Sequence, residues 1–177
     1  MKKQMASLPD ASPLIILSKV ERLDLLSELY GGVILTPWVW EEAVIKGREL
    51  GMADVVYLEK TAEKANFDKV SLATPEKQLA LRIQSESNLS LGQAEVLAAA
   101  KLRNALAILD DRETRVMAAR LGVAHIGVAG VLYEGFLHKL IDYDQLLDPL
   151  ETLGQVSWIS PDLMAGIMKR ARKVDRS

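Results

Sequence analysis

The sequence predicts an α/β domain with a mainly parallel central sheet, and three observations lead to this fold class. Short apolar runs such as "VIL" (33–35) and "LAIL" (106–109) are typical of strands that are buried on both faces. Segments with helical periodicity separate these runs, which favours parallel strands joined by helical crossovers. The 177 residues, 49% hydrophobic and 26% charged, suit one domain with a substantial core. We therefore expect a single domain over 1–177, with a basic C-terminal helix appended at about 161–177.

The first part of the chain predicts a weak strand, a helix, a second strand and more helix. "QMASLP" (4–9) is a poor strand candidate because its proline lacks an amide hydrogen. "SPLIILSKVERLDLLSELYGG" (12–32) has the apolar spacing of a helix and ends at two glycines. After "VIL", Thr36 and Pro37 form a helix start, and helical material continues to about Lys64.

The second part of the chain alternates strands and helices more regularly. Ser90 and Gln93 have the spacing of a capping box, and Gly122 is a typical helix end. We expect strands at 69–72 ("KVSL"), 106–109, 123–128 ("VAHIGV") and 156–159 ("VSWI"), with helices at about 75–86, 91–103, 112–122, 131–140 and 144–153 and a basic helix at the end.

Composition and charge exclude several kinds of site. The chain has no cysteine, which rules out disulfides, zinc thiolate sites and cysteine nucleophiles. His125 and His138 are too few for a histidine-rich metal site, so any metal must be bound by oxygen ligands. The net charge of −2 argues against a generally basic nucleic-acid surface, so positive charge would have to be local. The N-terminus lacks an apolar signal region, and no run approaches the roughly 18 apolar residues that span a bilayer. We expect a cytoplasmic protein without membrane contact.

Acidic side chains follow several of the predicted strands. Asp10 comes after the weak first strand, and Asp110 and Asp111 come directly after "LAIL". In open parallel sheets ligands bind beyond the carboxyl ends of the strands, so acids that are distant in sequence can meet there. Three or four carboxylates from separate elements suit Mg²⁺ or Mn²⁺, which prefer hard oxygen ligands. Without a cation such a cluster is costly, because like charges raise one another's pKa.

Two helices add further candidates. Glu95 falls at the edge of the apolar arc of the helix at 91–103, where a carboxylate can lean over the rim of the sheet. Glu41 and Glu42 lie in the first turns of the helix after "VIL". Each acid also has a purely structural explanation. Asp10 can be a helix N-cap, the glutamates can favour a helix dipole or face water, and the paired aspartates can form an acidic turn.

Five segments in register resemble PIN-domain proteins, and the likeness is greatest to uncharacterised prokaryotic members akin to VapC-type toxins. The segments are "DASPLIILSKVERLDLL", "TPWVWEEAV", "LSLGQAEVLAAA", "ILDDRETRVMAARLGV" and "IGVAGVLYEGFLHKLI". The resemblance runs from about Pro9 to the C-terminal helix and implies a three-layer α/β/α fold. It also implies an RNA-cleaving enzyme with Mg²⁺ or Mn²⁺ as cofactor, acting as a homodimer with an antitoxin protein as partner.

The resemblance also implies which residues form the site. The catalytic acids are Asp10, Glu42 (with Glu41 as the alternative), Glu95, Asp110 and Asp111, and the metal ligands among them are Asp10, Glu95, Asp110 and Asp111. Ser12 matches the small hydroxyl residue that follows the first acid. From their positions near the acids, Arg112 and Arg115, and further Lys101 and Arg103, are candidates for binding flanking phosphates. Spacing alone does not separate Glu41 from Glu42 or Asp110 from Asp111.

Two other functions stay open. The proline directly before Asp10 departs from the β-branched first strand of the family, which leaves room for a PIN-like module that binds RNA or a partner without cutting. A phosphoacceptor domain of the response-regulator type also uses paired acids at a strand end, but "HIGVAGV" lacks the Thr or Ser and the Lys that it needs. Trp38 and Trp40 are expected to pack against the core or a subunit, with base stacking as the alternative.

Overall fold

The computed structural model describes residues 5–156 and 160–175 and shows a three-layer α/β/α fold with a parallel sheet, which confirms the predicted fold class. The strands are β1 (Ser7–Pro9), β2 (Ile34–Leu35), β3 (Asp68–Lys69), β4 (Leu106–Ile108) and β5 (His125–Ile126). The helices are α1 (Ala11–Lys19), α2 (Leu25–Leu29), α3 (Pro37–Trp40), α4 (Lys46–Glu49), α5 (Asp54–Lys64), α6 (Thr74–Ser85), α7 (Leu91–Arg103), α8 (Arg112–Leu121), α9 (Val128–Leu137), α10 (Tyr143–Val156) and α11 (Pro161–Asp175), and a π-helical turn (Glu41–Ile45) joins α3 to α4.

The strands are parallel and are arranged in the order β3-β2-β1-β4-β5. β1 pairs with β4 and β4 with β5, while β2 pairs separately with β3. A single bridge between Ser7 and Val33 connects the two groups. In chain order, β2 and β3 lie on one side of β1, and β4 and β5 then follow on its other side. The direction of winding reverses between β1 and β4, and this is the switch point at which open α/β sheets bind ligands.

Pro9 explains why β1 and β2 are joined by only one bridge. The Ser7 N–H donates to the Gly32 carbonyl (2.8 Å) on the β2 side, whereas the Asp10 N–H donates to the Ile108 carbonyl (3.0 Å) on the β4 side. Amides alternate between the two neighbours along a strand, so the next donor towards β2 would be residue 9. Proline has no N–H to donate. The β2–β3 pair is thus joined to the rest of the sheet by a minimal ladder.

The helical layers follow from the handedness of the crossovers. A parallel crossover is almost always right-handed, so reversing the direction of winding moves the connecting helices to the other face of the sheet. In agreement, α1 packs with α5 and α9, whereas α7 packs against β1 and β4 with α6 and α8 beside it. The buried side chains of α7, including Ala94, Leu97 and Ala98, lie against the sheet and are fully excluded from water.

The C-terminal helix is part of this packed structure. α11 packs against α9 and α10, and its Ile167 and Ala171 are 3% and 0% exposed. Its charged residues are exposed, and one of them, Arg170, also lines a cavity between α11 and α9. Among the described helices, none combines the length and the apolar character needed to cross a bilayer.

Several predicted boundaries need correction. The helix expected over 12–32 is two helices, because Glu21 adopts a left-handed conformation (φ 53°) and the Arg22 N–H closes the end of α1 on the Leu17 carbonyl. The helix expected from residue 131 begins at Val128, where a side chain from another element caps it. The strand expected at 69–72 is Asp68–Lys69. In "VSWI", Val156 ends α10 and residues 157–159 lie outside the described part of the chain.

Candidate active site at the switch point

The register of the sheet brings Asp10 and Asp110 to neighbouring places. Pro9 is paired with Ile108, so Asp10 follows the end of β1 opposite the segment that leads to Asp110. The hydrogen bond from the Asp10 N–H to the Ile108 carbonyl fixes this alignment. Both acids therefore leave the sheet at the switch point between β1 and β4.

Each of the three aspartates also caps a helix. Asp10 Oδ1 accepts from the Ala11 N–H (2.8 Å) at the start of α1. Asp110 Oδ1 accepts from the Val128 N–H (3.0 Å) at the start of α9. Asp111 Oδ2 accepts from both the N–H and the hydroxyl of Thr114 (2.7 Å each) in the first turn of α8. Capping a helix does not prevent these aspartates from meeting as a site as well. Each carboxylate has a second oxygen besides the one that accepts the capping hydrogen bond.

Three other negative charges act on Asp10, which is buried at the switch point. Asp10 is only 8% exposed, and this burial raises the pKa of its carboxyl group. The hydrogen bond from Ala11 lowers the pKa, whereas the negative charges of Asp111, Asp110 and Glu42 raise it further. We call these four carboxylates, Asp10, Glu42, Asp110 and Asp111, the acidic cluster. Burial also raises the pKa of Asp110, against the hydrogen bond from Val128 and the positive charge of Arg115.

The π-helical turn brings Glu42 to the cluster. Such turns insert an extra residue into a helix and occur often at functional sites. Glu42 lines the cleft beside Asp10, while Glu41 is exposed. Glu42 Oε2 lies 2.6 Å from Lys46 Nζ, and the Lys46 ammonium lies 5.3 Å from the centre of the Trp38 ring. Glu42 therefore already has a cationic partner.

Glu95 is partly buried, and the charge that acts on it differs from those that act on Asp10. Burial raises the pKa of Glu95, and the opposing charge is that of Lys77 on α6. The residue of α7 that lines the cleft with Asp10 and Glu42 is Gln93. Two residues along a helix are separated by about 200°, so Gln93 and Glu95 point to opposite sides of α7. Gln93 was recognised from the sequence only as part of a capping box, and its Oε1 does accept from the Ser90 N–H (3.0 Å).

Two clefts meet at the acids and share one wall of α1, formed by Ser12 and Ile16. The first, of about 580 Å³, contains Asp10 and Glu42. The second, of about 1090 Å³, has in its lining Asp110, Asp111, Arg112, Arg115 and His125. Ser12, Arg112 and Arg115 thus line the second cleft together with the paired aspartates.

The other predicted cations and aromatic residues have structural contacts. Arg103 Nε lies 2.6 Å from Glu76 Oε1, so this guanidinium anchors α7 to α6. Trp40 lies under the Lys69 ammonium, which is 4.0 Å from the ring centre. Trp38, in contrast, is 38% exposed in the wall of the first cleft. It packs on α7 so closely that a Cβ at Gly92 would lie 1.9 Å from the indole ring.

The carboxylate oxygens of the acidic cluster suit a hard divalent cation, but the side chains do not form a complete coordination site. Carboxylate oxygens are the ligands that Mg²⁺ and Mn²⁺ prefer, and the repulsion around Asp10 would be relieved by a cation. Within residues 5–156 and 160–175, however, no three Asp, Glu or His side chains are close enough to hold one ion together. Binding would require side-chain rotations at the rim of the clefts.

Fold and site together define an α/β/α protein with an acidic cluster at the switch point of a parallel sheet. A sequence model described as a PIN domain matches residues 7–173, so the chain belongs to the PIN-domain family, as the five segments predicted. Members of this family are generally nucleases. The crystal structure of PAE2754 from Pyrobaculum aerophilum is similar in fold, with 22% identity, a TM-score of 0.52, and coverage of 72% of this chain and 93% of that chain. No curated protein matches the chain significantly.

Proposed function

We propose that the protein is a metal-dependent ribonuclease of the PIN type that hydrolyses RNA phosphodiester bonds. The observation that carries this proposal is the buried carboxyl group of Asp10, raised in pKa by burial and by three other acids at the switch point. Capping alone does not require a negative charge at these positions, because Asn or Ser caps a helix as well as Asp does. Perturbed acids in a cleft are characteristic of functional sites.

The proposed ligands of Mg²⁺ or Mn²⁺ are Asp10, Asp110 and Asp111, with Glu42 joining them once it leaves Lys46. Bound there, such an ion would supply an activated water and stabilise the charge that develops on the phosphate. Arg112 and Arg115, in the second cleft, would bind the phosphates of the substrate. Ser12 lines both clefts and would donate its hydroxyl hydrogen to the RNA backbone. Glu95 stays a predicted ligand, and its substitution tests whether it takes part in metal binding.

The experiment is cleavage of a labelled single-stranded RNA by the purified protein with Mn²⁺ or Mg²⁺, and with EDTA as the blank. We expect Asp10→Asn to slow cleavage by about 100-fold or more, since loss of a residue that holds the metal is at least as costly as loss of its supporting partners. The matched control is Asp148→Asn, which removes an exposed carboxylate from α10. Glu95→Gln should behave like this control if Glu95 lies outside the site. Equal cleavage by wild type and Asp10→Asn would rule out the proposed mechanism.

The second candidate is a PIN-like module that binds RNA without cutting it. Two observations favour it: Lys46 already neutralises Glu42, and an amide, Gln93, occupies the α7 position that faces the cleft. For this function we expect wild type to bind single-stranded RNA in EDTA while Mn²⁺ calorimetry gives only weak binding. The same weak Mn²⁺ binding by Asp10→Asn would support it against the nuclease.

An antitoxin partner and a homodimer are further parts of the proposal and rest on the resemblance to VapC-type proteins. Exposed apolar side chains on the packed helices α6 and α7, such as Leu81 (57% exposed) and Leu102 (51% exposed), could contribute to such contacts. Light scattering of the purified protein measures its mass in solution, and a mass of 19.5 kDa would exclude a stable homodimer.

A further inference from the structure

A smaller cavity lies behind the acidic cluster, between the end of β5, α9 and the C-terminal helix. Its volume is about 280 Å³. Asp110, Arg115 and His125 line both this cavity and the large second cleft. The two cavities therefore adjoin at these three residues, and we call the smaller one the rear cavity.

Two guanidinium groups from different elements line the rear cavity. Arg115 comes from α8, and its Nη1 lies beside Gly127, 3.9 Å from where a Cβ of that residue would be. The same Cβ position is 2.8 Å from Asp110 Oδ1, so the guanidinium and the carboxylate are neighbours at the start of α9. Arg170 comes from α11, and its guanidinium carbon lies 5.6 Å from the centre of the Tyr133 ring.

The position of Arg170 is determined by the packing of α11. Ile167, one turn earlier on the same helix, is 3% exposed and also lines the rear cavity. Arg170 is exposed, and the cation–π contact with Tyr133 favours the orientation in which its guanidinium lies at the cavity. Two arginines against the single carboxylate of Asp110 leave the cavity with an excess of positive charge.

We propose that the rear cavity is a phosphate-binding subsite for an RNA chain, in which Arg115 and Arg170 bind a phosphate next to the acidic cluster. The proposal deepens the proposed function and rests on it. A guanidinium presents paired N–H donors in the geometry that phosphate oxygens accept. The volume is slightly below that of typical ligand pockets, about 300 Å³ and upwards, which suits a phosphate with its sugar better than a whole nucleotide.

The experiment is binding of labelled single-stranded RNA to the full-length protein in EDTA, followed by fluorescence anisotropy. Arg170→Gln is compared with Arg172→Gln, a variant with the same loss of charge on the same helix, at a residue that lines a different cavity. We expect Arg170→Gln to weaken binding by roughly three- to tenfold for every RNA sequence, and Arg172→Gln to change it little. The slope of log affinity against log salt concentration should fall by about 0.7 for Arg170→Gln. Arg170→Lys, which keeps the charge but not the fork, should lie in between.

Two RNAs of the same sequence, one with a 5′-phosphate and one with a 5′-hydroxyl, distinguish the source of the phosphate. A loss with both RNAs assigns an internal phosphodiester to the rear cavity, and a loss with the 5′-phosphate RNA alone assigns the chain end. Thermal unfolding of Arg170→Gln within about 2 °C of wild type shows that the loss is not one of folding.

The results separate this proposal from the one on which it rests. Wild type that binds RNA with the expected Arg170 dependence but does not cleave it contradicts the nuclease and supports the subsite. Equal binding by Arg170→Gln and Arg172→Gln, or no binding of RNA by wild type, overturns the subsite.

Discussion

Replacing Asp10 by Asn should stabilise the metal-free protein, although the residue is buried. The Asn side-chain oxygen can still accept from the Ala11 N–H, and Asn is as good an N-cap as Asp. The substitution removes a buried negative charge that three other acids repel. Relief of this kind at a functional site typically adds about 1–2 kcal/mol to the free energy of unfolding. For a domain of this length that is a rise in Tm of about 2–8 °C. Asp10→Ala also loses the cap, about 1 kcal/mol, and should gain little.

The assay is thermal unfolding of wild type, Asp10→Asn and Asp10→Ala, first in EDTA and then in Mn²⁺. At a Mn²⁺ concentration 100 times its Kd, binding would stabilise wild type by about 2.7 kcal/mol, and Asp10→Asn should gain far less. The order of stability should therefore reverse between the two conditions. A lower stability of Asp10→Asn than of wild type in EDTA, or an equal response of the two proteins to Mn²⁺, would contradict this expectation.

Three further outcomes follow from the same structure. Since the pKa of Asp10 is raised, the folded protein takes up a proton at a higher pH than the unfolded chain. Lowering the pH through that raised pKa should therefore stabilise EDTA-treated wild type relative to Asp10→Asn, and it should weaken Mn²⁺ binding measured by calorimetry. Glu76→Ala removes two hydrogen bonds with Arg103 and the cap of α6, and it should lower the free energy of unfolding in denaturant by about 2–3 kcal/mol. Because the pKa of Glu76 is lowered in the folded protein, this loss should be complete above the unfolded pKa and should become smaller in acid. Gly92→Ala should displace Trp38 from the cleft wall, change the tryptophan emission spectrum and lower stability by about 1–3 kcal/mol.

Each of these outcomes has a clear opposite. A difference in stability between wild type and Asp10→Asn in EDTA that does not change on acidification would mean that the charge of Asp10 is not disfavoured in the folded protein. A Glu76→Ala cost that is unchanged in acid would exclude the ion pair as its source. An unchanged emission spectrum for Gly92→Ala would show that the indole does not rest on α7.

The sequence predicted the elements whose signals are local. The Thr36 and Ser90 caps and the apolar run of β4 are present as expected, because capping and continuous burial depend on residues close in sequence. The meeting of Asp10 and Asp110 could be predicted as well, since the topology of parallel sheets places strand ends at one edge. The PIN fold followed from five such segments in register.

Other features depend on contacts that the sequence does not encode locally. A helical projection places Glu95 at the edge of the apolar arc of α7 but does not say which residue faces that edge. In the structure the positive charge that acts on Glu95 is that of Lys77. The π-helical turn at Glu41–Ile45 has no sequence signature, so spacing could not choose between the two glutamates. The proline at position 9 suggested an edge or a strand end, and it is the last residue of a central strand.

Because of Pro9, the β2–β3 pair has fewer backbone contacts with β1 than β4 has. Asp10, Asp110 and Asp111 follow strands joined by continuous ladders, whereas Glu42 comes from the segment after β2, which meets β1 at one residue pair. Amide hydrogens of β2 and β3 should then exchange with deuterium at lower opening free energies than those of β1 and β4. Opening of the β2–β3 pair should therefore move Glu42 relative to the aspartates without separating Asp10 from Asp110 and Asp111.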